Sequence, residues 1–139
     1  MMKTNAVVFG LLAGLVMLVA GMVVGQIFSV AFPGLAAEYY NPALFRPWSD
    51  PLMSLYYAVP FATGLILAWL WLNLKDKIKE TNPLKQGAFF GIVYWIITIP
   101  GMAMSYSSFP VSLVMVESWS ASILVQAVCA GLIFAKTLK

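Results

Sequence analysis

The chain has no histidine and a single cysteine, Cys129, in 139 residues. Without histidine there is no imidazole to ligate haem iron, to complete most zinc or di-iron sites, or to move protons near neutral pH. One thiol cannot close an intrachain disulfide, so cysteine usage carries no message about redox compartment. Charge is scarce as well: 9% of residues are charged and 62% are hydrophobic, against about 25% and 45–50% in a soluble domain. A water-facing surface cannot be covered by so few charges, so most of the exterior must face lipid. The net charge of +3 sits on lysines at the ends of apolar runs, where membrane proteins keep them. It therefore describes topology, and no nucleic-acid partner is expected.

What the chain does have is four long apolar runs, at about 6–32, 52–74, 86–104 and 111–135. Spanning a bilayer takes about 20 mainly apolar residues as an α-helix, and lipid allows no unsatisfied backbone. The expectation is all-α: a single domain, 1–139, folded as a four-transmembrane-helix bundle. The first run follows a lysine and ends near Gly34-Leu35-Ala36-Ala37, as a signal peptide would. Its apolar stretch exceeds the 7–15 residues of a signal core, which favours a retained helix.

Basic residues give the orientation. Lys3, Lys75, Lys77, Lys79, Lys85, Lys136 and Lys139 fall on one side and only Arg46 on the other. By the positive-inside rule both termini and the central loop are cytoplasmic, in a plasma or inner membrane. The loop 33–51 is then outside. It holds four prolines and a set of aromatics, Tyr39, Tyr40, Phe45 and Trp48, suited to the headgroup region. It should lie on the membrane surface or fold over the helix ends. Residues 105–110 form a tight turn between the last two helices. A faint two-helix repeat pairs Pro33-Gly34 with Pro100-Gly101, and Pro51-Leu52 with Pro110-Val111.

Small residues mark candidate packing faces. Gly10, Gly14, Gly21 and Gly25 fall within about 60° of arc on the first helix. Gly87 and Gly91 repeat the spacing on the third, and Gly64 and Ala68 on the second. Such stripes let membrane helices approach closely. Packing within the chain is the commoner use, and several stripes in four helices leave room for a face between chains.

Polar groups inside the runs are few. Glu117 is the one ionisable residue in a span, roughly 10 Å below the start of the fourth helix. A carboxylate there suits a proton or cation site, or one that reaches the outer interface or is held neutral by hydrogen bonds. Arg46 is its expected ion-pair partner, with Asp50 and Glu38 competing. Gln126, near the middle of the fourth helix, shares a face with Trp119, Ser122 and Cys129; Gln26 lies near the outer end of the first. Interhelical hydrogen bonding is the ordinary role for such amides. Pro60 and Pro100 each remove a backbone donor and should kink their helices.

The small multidrug exporters place a glutamate in their first helix, and no acid lies in this one. The polar and arginine motifs of fluoride channels are not visible either. The glycine-rich first helix, the stretch Asn41-Pro42-Ala43-Leu44-Phe45-Arg46-Pro47 and Lys85-Gln86-Gly87-Ala88 resemble uncharacterised small four-helix integral membrane proteins of prokaryotes. That resemblance implies a four-span bundle and brings no activity. The function expected is a non-catalytic subunit or oligomeric membrane protein, partnered by the bilayer and by other membrane subunits or copies of itself, with no cofactor. A small transporter or channel using Glu117 and the Pro60 and Pro100 kinks is the alternative. An enzyme using Ser112, Glu117 or Asp50 ranks third, because no spacing matches a catalytic constellation.

Overall fold

A computed structural model describes residues 4–139. Lys3, one of the seven lysines expected on one side, lies outside the described residues. Five α-helices follow in order: α1 (Thr4–Ala31), α2 (Pro33–Tyr39), α3 (Ser54–Leu74), α4 (Pro83–Ser108) and α5 (Leu113–Thr137). Four of them are long and apolar enough to cross a membrane, and they pack together as a bundle. The chain is a small multi-pass membrane protein of four candidate spans.

Local chemistry sets the boundaries. Asn82 caps α4, its side chain accepting from the Leu84 and Lys85 N–H groups, and Pro83 occupies the first turn where no donor is needed. The helix therefore starts before the apolar run. It also ends later than expected, at Ser108, because Ser105 and Ser107 turn their hydroxyls back onto the Gly101 and Met104 carbonyls. A helix in lipid tolerates serine when the hydroxyl is satisfied by its own backbone. The connection to α5 is thus shorter than 105–110. Ser112 caps α5 by accepting from the Met115 N–H, so α5 begins at Leu113. Both α3 and α4 continue through Pro60 and Pro100 without interruption.

Two glycine seams bring the helices together. On α1, a side chain at Gly14 would meet the Phe61 Cα at 2.6 Å and the Pro60 carbonyl at 2.9 Å; Gly64 of α3 lies against the Gly10 backbone in return. On α4, a side chain at Gly91 would meet the backbone of Ala127 and Val128 at 2.6 Å, and Gly87 and Gly131 abut reciprocally. Helix α1 also packs on α5, joining the two pairs, while α3 and α4 make little contact beyond the Trp71–Phe90 pair. The order across the bundle is α3, α1, α5, α4. Gly10, Gly14, Gly87 and Gly91 thus have close backbone neighbours within the chain. Gly25 differs: nothing lies within 4 Å of where its side chain would be.

The two ends are built differently. At the lysine-bearing end Ala6, Leu67, Trp71, Phe90, Phe134 and Leu138 form a buried cluster, with Trp71 edge-on to Phe90. The Trp71 indole donates to the Leu138 carbonyl at 3.0 Å, and the Lys75 ammonium reaches the same oxygen at 3.2 Å. Gln86 donates to the Lys75 carbonyl at 2.9 Å. The start of α1, the loop after α3 and the end of α5 therefore lie together, as the alternation of four spans requires. At the other end, the loop 33–51 folds over the helix ends, one of the two arrangements expected of it. Leu35 of α2 is buried with Val111, Met115 and Val116. The Trp119 indole donates to the Tyr39 hydroxyl at 2.7 Å, and the Phe45 ring packs against both Tyr39 and Trp119. Glu38 accepts from both the backbone N–H and the hydroxyl of Ser112, which ties the loop to the cap of α5. Large apolar side chains such as Val19, Ile27, Val59, Ile66, Ile97 and Met104 stay exposed along the spans, where lipid is their solvent.

Candidate functional site

The polar residues singled out by the sequence do not converge. Glu117 is exposed and lies one turn from the start of α5, about 6 Å along the axis. That is shallower than the run boundaries imply, because the Ser112 cap moves the helix start inward. Among the described residues Glu117 makes no ion pair. Arg46 pairs with Asp50 at 3.0 Å instead, correcting the expected Arg46–Glu117 pair. The reason is local. Asp50 lies four positions after Arg46 in a tightly turned loop, and it is already oriented by the Leu52 N–H, from which it accepts at 2.9 Å. The Leu52 amide, and after it Arg46, hold the Asp50 carboxyl below its ordinary 3.8. Glu38, the other competitor for Arg46, is engaged by Ser112.

Gln126 occupies a more suggestive position. It is nine residues beyond Glu117, about half a turn round α5 and roughly 13 Å farther along it. Its amide fills the space that a side chain at Gly21 would take. The third glycine of the α1 stripe thus admits a polar side chain where the first two admit a neighbouring backbone. Gln126 and Gly21, with Leu18 of α1 and Tyr56, Val59 and Pro60 of α3, line a cleft of about 310 Å³.

The cleft combines an apolar wall with a few polar groups. The Gln126 amide supplies two donors and an acceptor. Pro60 has no N–H, so the Tyr56 carbonyl lacks its usual donor four residues on. Every fully buried polar side-chain atom among the described residues is satisfied. The part-buried Trp95 indole also donates to the Ser120 hydroxyl at 2.9 Å across the α4–α5 seam. The Gln126 amide and the Tyr56 carbonyl thus leave hydrogen-bonding capacity open in the cleft. Among the described residues no group of three or more Cys, Asp and Glu side chains gathers at metal-binding distance.

Gly21, Pro60 and Gln126 are each visible in the sequence as separate features. That they meet depends on the register of α1 against α3 and α5, for which the sequence has no signal. Tyr56 of α3 belongs to the same cleft. No known protein family, curated protein or solved structure matches this chain.

Proposed function

We propose that this protein is a non-catalytic integral membrane subunit whose cleft receives a transmembrane helix, from another membrane protein or from a second copy. The observation that carries this reading is the Gln126 amide, presented in a cleft lined by α1, α3 and α5 that no residue of α4 covers. A polar amide in hydrocarbon gains about 0.6–2 kcal/mol from a partner on a neighbouring helix. The apolar wall of Leu18, Val59 and Pro60 offers the close contact on which such association depends. Gly25, the one member of the α1 stripe that no intrachain neighbour covers, extends the same invitation nearer the helix end. The lysine-bearing end is cytoplasmic in this reading, following the positive-inside rule.

The test is purification in mild detergent from the native membrane, with the mass of the complex read by mass photometry or native mass spectrometry. Species heavier than one 15.2 kDa chain are expected, and Gln126→Leu should shift them toward the single chain without changing the thermal midpoint of the monomer. Finding only the single chain across a wide range of concentrations, in detergent and in lipid nanodiscs, would sink the proposal.

The cleft beside Pro60 also favours a second reading, a small transporter or channel. Glu117, the residue that reading relied on, faces away from the cleft, so a flux through it would run on Gln126 and the Tyr56 carbonyl. Loss of a proteoliposome flux in Glu117→Gln, with folding intact, would restore that reading in its original form.

A further inference from the structure

A second cleft lies at the lysine-bearing end, apart from the one that holds Gln126. It is bounded by Leu74 at the end of α3, by Lys77, Ile78 and Lys79 in the following segment, and by Phe89, Phe90 and Val93 on α4, with a volume of about 440 Å³. Two chemistries meet there in layers. Apolar side chains form the wall toward the spans, and two exposed lysines, Lys77 and Lys79, line the rim. Among the described residues no acid lines the cleft. Asp76 is exposed and does not line the cleft, and the Glu80 carboxylate accepts the Asn82 N–H at 3.0 Å. Lys75, by contrast, is committed to the Leu138 carbonyl.

The apolar wall continues outside the cleft. Phe89, Val93, Ile97 and Met104 are exposed and recur at helical spacing, so they form one stripe down α4 in the direction of the spans. An occupant of this cleft must therefore carry negative charge at one end and an extended apolar body at the other. We infer that the cleft binds an anionic phospholipid, its phosphate between Lys77 and Lys79 and an acyl chain laid along Phe89, Val93 and Ile97. Basic pockets between spanning helices at the membrane surface have this selectivity because each lysine attracts the anionic head while the chain stays in hydrocarbon. A zwitterionic lipid fits the groove equally but draws no net attraction from the rim.

The experiment is native mass spectrometry of the full chain from a neutral detergent, titrated with phosphatidylglycerol or with phosphatidylcholine of identical chains. Two lysines near the surface should favour the anionic lipid by about 30-fold. The pair Lys77→Gln and Lys79→Gln should remove that preference. Lys136→Gln with Lys139→Gln, which removes the same charge at the same end but outside the cleft, should leave it. Val93→Trp should weaken both lipids together by filling the groove while the lysines remain, and thermal melting of each variant checks that it is folded. Equal loss in the two lysine pairs would reduce the effect to a diffuse basic surface and overturn the assignment. Displacement of the lipid by an equal concentration of soluble glycerol phosphate would overturn it too, since the chain would then contribute nothing.

Discussion

Consider Gly91→Ala beside Gly25→Ala. The chemical change is the same methyl group in the same kind of helix, and the structure gives the two opposite outcomes. At Gly91 the new carbon would stand 2.6 Å from the Ala127 carbonyl carbon and the Val128 Cα. Both are backbone, so no side chain can rotate away. Restoring an ordinary contact of about 3.4 Å requires α4 and α5 to part by about 0.8 Å, and a gap of 0.5–1 Å forfeits roughly a quarter to a half of each dispersion contact. The same movement strains the Trp95–Ser120 hydrogen bond. Overpacking of this kind costs about 1–3 kcal/mol, and a value near 2 kcal/mol is expected because the α4–α5 seam cannot yield locally. At Gly25 nothing lies within 4 Å, and alanine, the better helix former, should be neutral or stabilising by up to about 1 kcal/mol. Reversible unfolding in mixed micelles of increasing denaturing-detergent fraction measures both. Equal destabilisation by the two substitutions, or a silent Gly91→Ala, would refute the close approach of α4 to α5.

Two further outcomes follow from the ends of the bundle. Trp71→Phe keeps an aromatic ring against Phe90 but removes the donor to the Leu138 carbonyl, so stability should fall by about 1 kcal/mol and the last residues of α5 should exchange their amide hydrogens faster; unchanged exchange there would deny the hydrogen bond its role. The Asp50 carboxyl should titrate below 3.8 by NMR. A folded-state value lowered in this way stabilises the loop above the unfolded value, and that contribution is lost as pH falls through the folded one. Arg46→Ala should raise the midpoint only partway, because the Leu52 N–H is the larger cause; a full return to 3.8 would reverse that ranking.

The four spans were legible because lipid imposes a length and an apolar composition that few other environments demand. Their ends were less so. The apolar run around 86–104 understates α4 at both ends, since Asn82 and Pro83 start a helix outside the lipid-like stretch and the serines near its far end satisfy themselves. Helix α2 was hidden inside a proline-rich loop, although Pro33 at its first position was a readable sign. The glycine stripe was visible as a stripe, but its four members have three fates: backbone contact at Gly10 and Gly14, space for an amide at Gly21, and no neighbour at Gly25. Those fates depend on where α1 meets α3 and α5, which a single helix cannot encode. The Arg46–Asp50 pair was within reach of sequence reasoning, because a four-residue spacing in a tight loop outcompetes a distant glutamate. Which way Glu117 faces was not within reach, since the bundle's order, α3–α1–α5–α4, decides which side of α5 is inside.

That order also sets how the molecule can deform. Separating α1 from α3, or α4 from α5, tears a glycine seam along its length. Swinging the two outer helices α3 and α4 away from each other breaks no such seam, and the Trp71–Phe90 contact at the lysine-bearing end is placed to act as the pivot. The bundle is thus stiff within each pair and compliant across one gap, so thermal widening on the far side of the pivot would part α3 from α4 while both seams hold.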